Sequence, residues 1–130
     1  MGIFRFFRKN KVELTDEQKK WESMWNLWLE GRADSPYAEL MTYESEINNG
    51  GHDQYFLNVG NTGDLQREMA ALETVLPAKL QKNLRNAYNA YLMLNGQPDE
   101  RAEAILNQCD DVFFNAEEEI LSILKKYASA

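Results

Sequence analysis

Glu46 to Gly60 read Glu-Ile-Asn-Asn-Gly-Gly-His-Asp-Gln-Tyr-Phe-Leu-Asn-Val-Gly, and this stretch decides how the neighbouring helices are arranged. Its Asn and Gly residues are unfavourable inside a regular helix. Adjacent glycines allow a positive φ, and the polar side chains around them can hydrogen-bond to backbone groups that a broken helix leaves unpaired. We therefore predict a structural corner at Asn49, Gly50 and Gly51.

Two amphipathic helices are predicted before the corner. Thr15 to Gln18 has the form of a capping box, and the helix that follows it stops near Gly31. The second helix begins at Ser35-Pro36, with the serine as cap and the proline in the first helical position, and runs to about Asn48. The predicted buried residues are Trp21, Met24, Trp25, Trp28 and Leu29 in the first helix and Tyr37, Leu40, Tyr43 and Ile47 in the second. Glu44 falls on the same face, so its carboxylate either needs a partner or lies at the edge of the stripe.

A short helical piece and four further helices are predicted after the corner. Pro77 ends or redirects the first of these four, Asn95-Gly96 ends the second, the third follows Pro98, and Asn115 caps the last. The predicted core residues are Tyr55, Phe56, Leu65, Met69, Leu72, Leu76, Leu80, Leu84, Ala87, Tyr88, Tyr91, Leu94, Ala102, Ile105, Leu106, Cys109, Val112, Phe113, Ile120, Leu121, Ile123, Leu124 and Tyr127. No segment alternates as a strand does. The sequence predicts a compact all-α single domain of about six or seven helices over residues 15–130.

Length and cysteine content fit one domain in a reducing, cytoplasmic setting. The 130 residues are enough to bury about two-thirds of the surface of the unfolded chain. Cys109 is the only cysteine, which excludes an intramolecular disulfide and a cysteine-rich zinc site. The apolar stretches are too short for a membrane span or a secretory signal.

Charge is divided unevenly along the chain. The net charge is −7, but the first eleven residues carry four basic residues and no acid, which leaves ten basic against 21 acidic residues, or −11, in the remainder. This acidic body argues against direct nucleic-acid binding, since phosphate contacts need clustered Lys and Arg. It favours basic partners, or it serves solubility alone.

Residues 1–14 form a basic and aromatic N-terminal arm, in which Ile3, Phe4, Phe6 and Phe7 are mixed with Arg and Lys. Such a segment can lie on an anionic membrane or contact a partner. It can equally remain a free arm or pack against its own domain.

Metal, cofactor and catalytic sites have little support in the residue pattern. His52 is the only histidine, and neither a Glu-x-x-His pair nor an alternating acidic calcium loop is present in the sequence. Cys109 lies in an apolar helical stripe, where a buried thiol is unreactive. The two glycines lack the Lys-Ser/Thr of a phosphate-binding loop. We therefore expect a non-enzymatic protein that needs neither metal nor cofactor.

The polar side chains of the corner leave two hypotheses open. Gln54 and Asn58, four residues apart, can hydrogen-bond to backbone groups exposed there. Alternatively, His52, Asp53, Gln54 and Asn58 line a polar pocket that binds a small molecule or supports an enzymatic reaction. This alternative predicts a concave site into which all four side chains point.

An acidic surface is predicted on the helix that follows Pro98. Four of its acids project within about 100° of each other, away from the apolar face. The first and the last are about 16 Å apart, or about 4 Å per charge, close to the roughly 3.4 Å per charge along one DNA strand. Two more acids extend the surface, and they are also favourable charges at a helix N-terminus. The predicted partner-binding residues are Glu100, Glu103, Asp110, Asp111, Glu117 and Glu118.

Glu46 to Asn58, with Asn-Asn-Gly-Gly-x-x-Gln-Tyr-Phe-x-Asn at its centre, resembles the small bacterial domain family named after a DNA mimic protein and otherwise of unknown function. The likeness extends from about Ser35 to Tyr127. The resemblance implies an all-helical fold without catalytic residues. The name-giving protein is dimeric and presents an acidic surface to a DNA-binding transcription regulator in place of DNA. The resemblance therefore implies a homodimer and a basic DNA-binding regulator as partner.

Overall fold

The computed structural model describes residues 13–130, which form six α-helices and no strand. In chain order these are α1 (Asp16–Leu29), α2 (Tyr37–Thr62), α3 (Leu65–Val75), α4 (Ala78–Leu94), α5 (Glu100–Asn115) and α6 (Glu117–Ser129). The prediction of a compact all-α domain is confirmed. None of these helices has the length and apolar character that a membrane crossing requires. Residues 1–12 of the predicted arm lie outside the described residues.

α1 begins with the predicted capping box. The Thr15 hydroxyl accepts from the Gln18 N–H at 3.1 Å, and the Gln18 side chain accepts from the Thr15 N–H at 2.8 Å. Its three tryptophans are partly buried against the core, as an aromatic seam requires. Leu29 is 73 % exposed, so the prediction that it is buried is wrong. It ends the helix, and the chain turns away at Gly31, where φ is 74°.

Two helix starts differ from the prediction. α2 begins after Pro36, and the Ser35 hydroxyl does not cap it but donates to the Glu39 carboxylate at 2.8 Å. α5 continues through Asn115, so this residue cannot cap α6, whose first residue is Glu117 and which has no side-chain cap. Three glutamates in the first turn of α6 stabilise its start through the helix dipole.

α2 is the central helix and packs against α3, α4, α5 and α6. The Tyr43 ring meets Tyr55 and Phe113 edge-on, with centroids 5.1 and 5.3 Å apart, and all three side chains are fully buried. α4 and α5 pack along each other. Cys109 is buried as predicted, whereas Val112, at the edge of the apolar stripe of α5, is 41 % exposed and not part of the core.

Candidate functional site

The central helix α2 kinks at Gly51, where φ is 81° and ψ is −177°. Only glycine adopts this conformation readily. A Cβ on Gly51 would collide with the Asp110 carboxylate of α5, and a Cβ on Gly50 would collide with the Gln54 side chain. Helical structure continues on both sides, so the chain changes direction inside α2 and does not stop near Asn48 as the sequence suggested.

Asp110 reaches from α5 to the kink. Its Oδ1 accepts hydrogen bonds from the backbone N–H of His52 at 2.9 Å and from His52 Nδ1 at 2.7 Å. The first bond satisfies a backbone donor that the break in the helix releases. The carboxylate therefore acts as an N-cap for the second half of α2, where its negative charge is also favourable.

His52 connects both halves of α2 to α5. Its imidazole is fully buried, and Nε2 lies 2.6 Å from the Tyr43 hydroxyl. Burial holds the pKa of Tyr43 well above its usual range. The tyrosine therefore keeps its proton, and its hydroxyl shares a hydrogen bond with Nε2, while Nδ1–H donates to the Asp110 carboxylate, which can only accept. A Tyr–His–Asp arrangement of this kind can transfer protons where a site is open to solvent. The His52 imidazole has no exposed surface. Its hydrogen bonds therefore form a structural brace that holds both halves of α2 against α5.

A second brace crosses the kink through Glu46. Its Oε1 accepts from Gln54 Nε2 at 3.1 Å and from Asn58 Nδ2 at 3.0 Å, so these amides bond to a carboxylate and not to backbone groups. Asp53 is exposed and lines a separate groove against the end of α4. Because His52 is buried and the two amides are engaged, the four residues of the predicted polar pocket do not converge on one cavity.

Glu44 and Glu117 form a pair of neighbouring carboxyl groups where α2 meets the start of α6. Asn48 Nδ2 donates to both, at 2.9 Å to Glu44 and 2.7 Å to Glu117. Burial raises the pKa of Glu44 to about 8, assisted by the hydrogen bond to Glu117 and by its charge. The same hydrogen bond lowers the pKa of Glu117. At neutral pH the pair therefore holds one proton between its two carboxyl groups. Of the two alternatives predicted for Glu44, the partnered carboxylate is the one observed.

The six predicted partner-binding acids fall into two groups. Asp110 and Glu117 are partly buried and hold α5 and α6 against the kinked helix. These two acids of the predicted surface therefore lie beside the glycine corner, although the sequence predicted the surface and the corner as separate features. The other four acids are exposed, and within residues 13–130 none of them forms an ion pair: Glu100, Glu103, Asp111 and Glu118.

A second carboxylate cluster, which the sequence pattern did not predict, lies at the junction of α1, α2 and α3. Glu39 is only 5 % exposed, and its carboxylate accepts from Arg67 at 3.0 Å. Arg67 also donates to Glu68 at 2.9 Å. A signal was available, because Glu39 lies roughly 40° from Tyr43 on the helical wheel and thus at the edge of the buried face.

Together, the fold and the site define a class: a small acidic all-α domain whose carboxylates are held by a braced glycine kink. The chain belongs to the DMP19-like protein family, whose sequence profile matches residues 36–130. This family fits the resemblance predicted from Glu46 to Asn58. The match takes in α2 to α6 and leaves out α1. No curated protein and no solved structure matches the chain.

Proposed function

We propose that this protein is a non-enzymatic interaction domain whose acidic surface binds a basic DNA-binding protein in the place of DNA. Membership of the DMP19-like family supports this function, because the family is named after a DNA mimic protein. The net charge of −11 over residues 12–130 repels nucleic acid and attracts basic proteins. The proposal includes a cytoplasmic location, where the partner meets DNA.

The proposal rests above all on the four exposed acids of α5 and α6 that lack an ion-pair partner among the described residues. α5 is helical from Glu100 to Asn115, so Glu100 and Asp111 are about 16 Å apart along its axis. The exposed Arg101 lies roughly 100° around the helix from Glu100 and outside this face. Glu100, Glu103 and Asp111 therefore present three exposed negative charges over about 16 Å of one helix face.

The braced kink supports a surface of fixed geometry. Bonds from His52 to Asp110 and from Asn48 to Glu117 attach α5 and the start of α6 to the central helix. Charges on a fixed scaffold lose less conformational entropy on binding than charges on a mobile segment. A homodimer, which the family resemblance implies, would present this surface twice.

The test compares two fourfold variants that change the net charge equally. The surface variant is Glu100→Gln, Glu103→Gln, Asp111→Asn and Glu118→Gln. The control variant neutralises exposed acids at the start of the described chain: Glu13→Gln, Asp16→Asn, Glu17→Gln and Glu22→Gln. Both sets include acids in the first turn of a helix, so each variant loses favourable charges at a helix N-terminus.

Each protein is used to capture binding proteins from a lysate of its own organism, and the captured proteins are identified by mass spectrometry. We expect the wild type and the control variant to capture the same DNA-binding protein, and duplex DNA to displace it. The surface variant is expected to lose it. Equal capture by the surface variant, or a partner that duplex DNA does not displace, would contradict the proposal.

A further inference from the structure

A groove of about 270 Å³ lies between α1, α2 and α3. Its walls include Trp28 of α1, Glu39 and Thr42 of α2, and Arg67 and Glu68 of α3. Trp28 is fixed in place because its Nε1–H donates to the Thr42 hydroxyl at 3.0 Å. This tryptophan lies before residue 36, so part of the groove falls outside the family match.

Two carboxylates of the groove share a single cation. The Glu39 side chain is 6 % exposed, and that of Glu68 is 16 % exposed. One guanidinium, that of Arg67, bridges them with bonds of 3.0 Å to Glu39 and 2.9 Å to Glu68. Although burial raises the pKa of Glu39, hydrogen bonds from Ser35 and Arg67 lower it overall, so this carboxylate is charged. The Arg67 side chain is 58 % exposed, so a competing ligand could displace its guanidinium into solvent without moving the rest of α3.

One buried oxygen of these two carboxylates, Glu68 Oε1, lacks a hydrogen-bond partner among the described residues. Unpartnered buried polar atoms are uncommon in native proteins and indicate a missing partner. Glu68 Oε1 can only accept, so it calls for a ligand with additional N–H donors.

We propose that this groove binds a guanidinium group from outside the chain, with Arg67 as the resident group that it replaces. A guanidinium carries five donors in one plane and can bond to both carboxylates, including the free oxygen of Glu68. The fixed indole of Trp28 supplies an aromatic wall for a bound cation. An arginine side chain of a protein and a free guanidinium compound share this chemistry. The site does not involve the acids of α5 and α6, so it stands apart from the proposed function.

Titration of the ¹⁵N-labelled full-length protein tests the proposal. The probe is Nα-acetyl-arginine amide, and the control ligand is Nα-acetyl-citrulline amide, which has nearly the same shape without the charge. We expect a saturable shift of the Trp28 indole N–H with the arginine compound, larger than those of Trp21 and Trp25, and none with the citrulline compound. Equal shifts with both compounds, or no saturation, would overturn the proposal.

Two substitutions locate the site. Glu68→Gln is expected to weaken probe binding by about tenfold, because it removes a charge-assisted acceptor. Arg67→Ala is expected to strengthen probe binding, because the Arg67 guanidinium no longer competes for the two carboxylates. The gain should be at most about fivefold, which is the contribution of an exposed ion pair. Glu73→Gln is the matched control, since Glu73 lies on the same helix and also pairs with an arginine, Arg85, at 2.7 Å. It should bind the probe like the wild type, and an equal loss in both glutamate variants would reject the groove as the site.

Two further ligands distinguish the source of the guanidinium. Agmatine represents a free small molecule, and acetyl-Gly-Arg-Gly-amide represents a protein segment. Tighter binding of agmatine supports the groove as a small-molecule site, and tighter binding of the peptide supports it as a site for an arginine of a partner. If neither ligand competes with the acetyl-arginine amide, the proposal fails.

Discussion

Substitution of Gly51 by alanine is expected to destabilise the fold strongly, because alanine fits neither the backbone nor the space at the kink. A residue with a Cβ at φ 81° and ψ −177° carries a strain of about 1–3 kcal/mol. The added Cβ also collides with Asp110, which must withdraw from His52. Loss of a hydrogen bond to a charged group costs about 1.5–3 kcal/mol. The free energy of unfolding should therefore fall by about 2.5–6 kcal/mol, a large part of the roughly 5–15 kcal/mol typical of a domain.

Urea unfolding followed by far-UV circular dichroism measures this loss, and Gly60→Ala is the control. Gly60 lies in the same helix α2 without a positive φ, and a Cβ there meets no atom within 4 Å. Alanine at a helical position is favoured over glycine by about 1 kcal/mol, so this substitution should stabilise the protein. The two changes are chemically identical but should act in opposite directions. A loss below about 1 kcal/mol for Gly51→Ala would refute the account of the kink.

Further predictions concern the groups that surround the kink. Tyr43→Phe removes the partner of His52 Nε2 and should lower the free energy of unfolding by about 1–3 kcal/mol in the same urea assay; unchanged stability would contradict the brace. Asp110→Asn keeps the shape but loses the charge, and it should cost at least as much, because two bonds from His52 depend on it. The pKa of Glu44 is raised from 4.5 to about 8, so the native state keeps a proton that the unfolded chain releases. The stabilisation of the native state by this proton on Glu44 is complete below about pH 4.5 and is lost as the pH rises through about 8. The urea midpoint of the wild type should therefore decline between pH 4.5 and 9. Because glutamine imitates the protonated acid, Glu44→Gln should make this decline smaller. An unchanged decline would show that Glu44 is not its source.

The helices and most of the core follow from local patterns in the sequence. A capping box such as that at Thr15 involves residues within one turn, and the spacing of Leu40, Tyr43 and Ile47 depends only on the helical repeat. Helix ends were less predictable. Ser35 has the residue type of a cap, but a carboxylate one turn later competes for its hydroxyl.

The division of the acids between structural and exposed roles could not be predicted from one helix at a time. Asp110 and Asp111 are neighbours on the predicted acidic face, yet only Asp110 meets a residue 58 positions away in the chain. The pairing of Glu39 with Arg67 likewise spans 28 residues. Such contacts depend on how α2 bends at Gly51, which places His52 against Asp110 of α5.

The most direct test of the acidic surface is the affinity of the captured DNA-binding protein for this domain, measured by calorimetry with and without duplex DNA. If the surface occupies the DNA site, saturating DNA should abolish binding. The variant that neutralises Glu100, Glu103, Asp111 and Glu118 should bind at least about 30-fold more weakly than the control variant, at about 0.5 kcal/mol or more for each charge. Equal affinities of the two variants, or a complex that contains the domain, its partner and DNA together, would contradict the account.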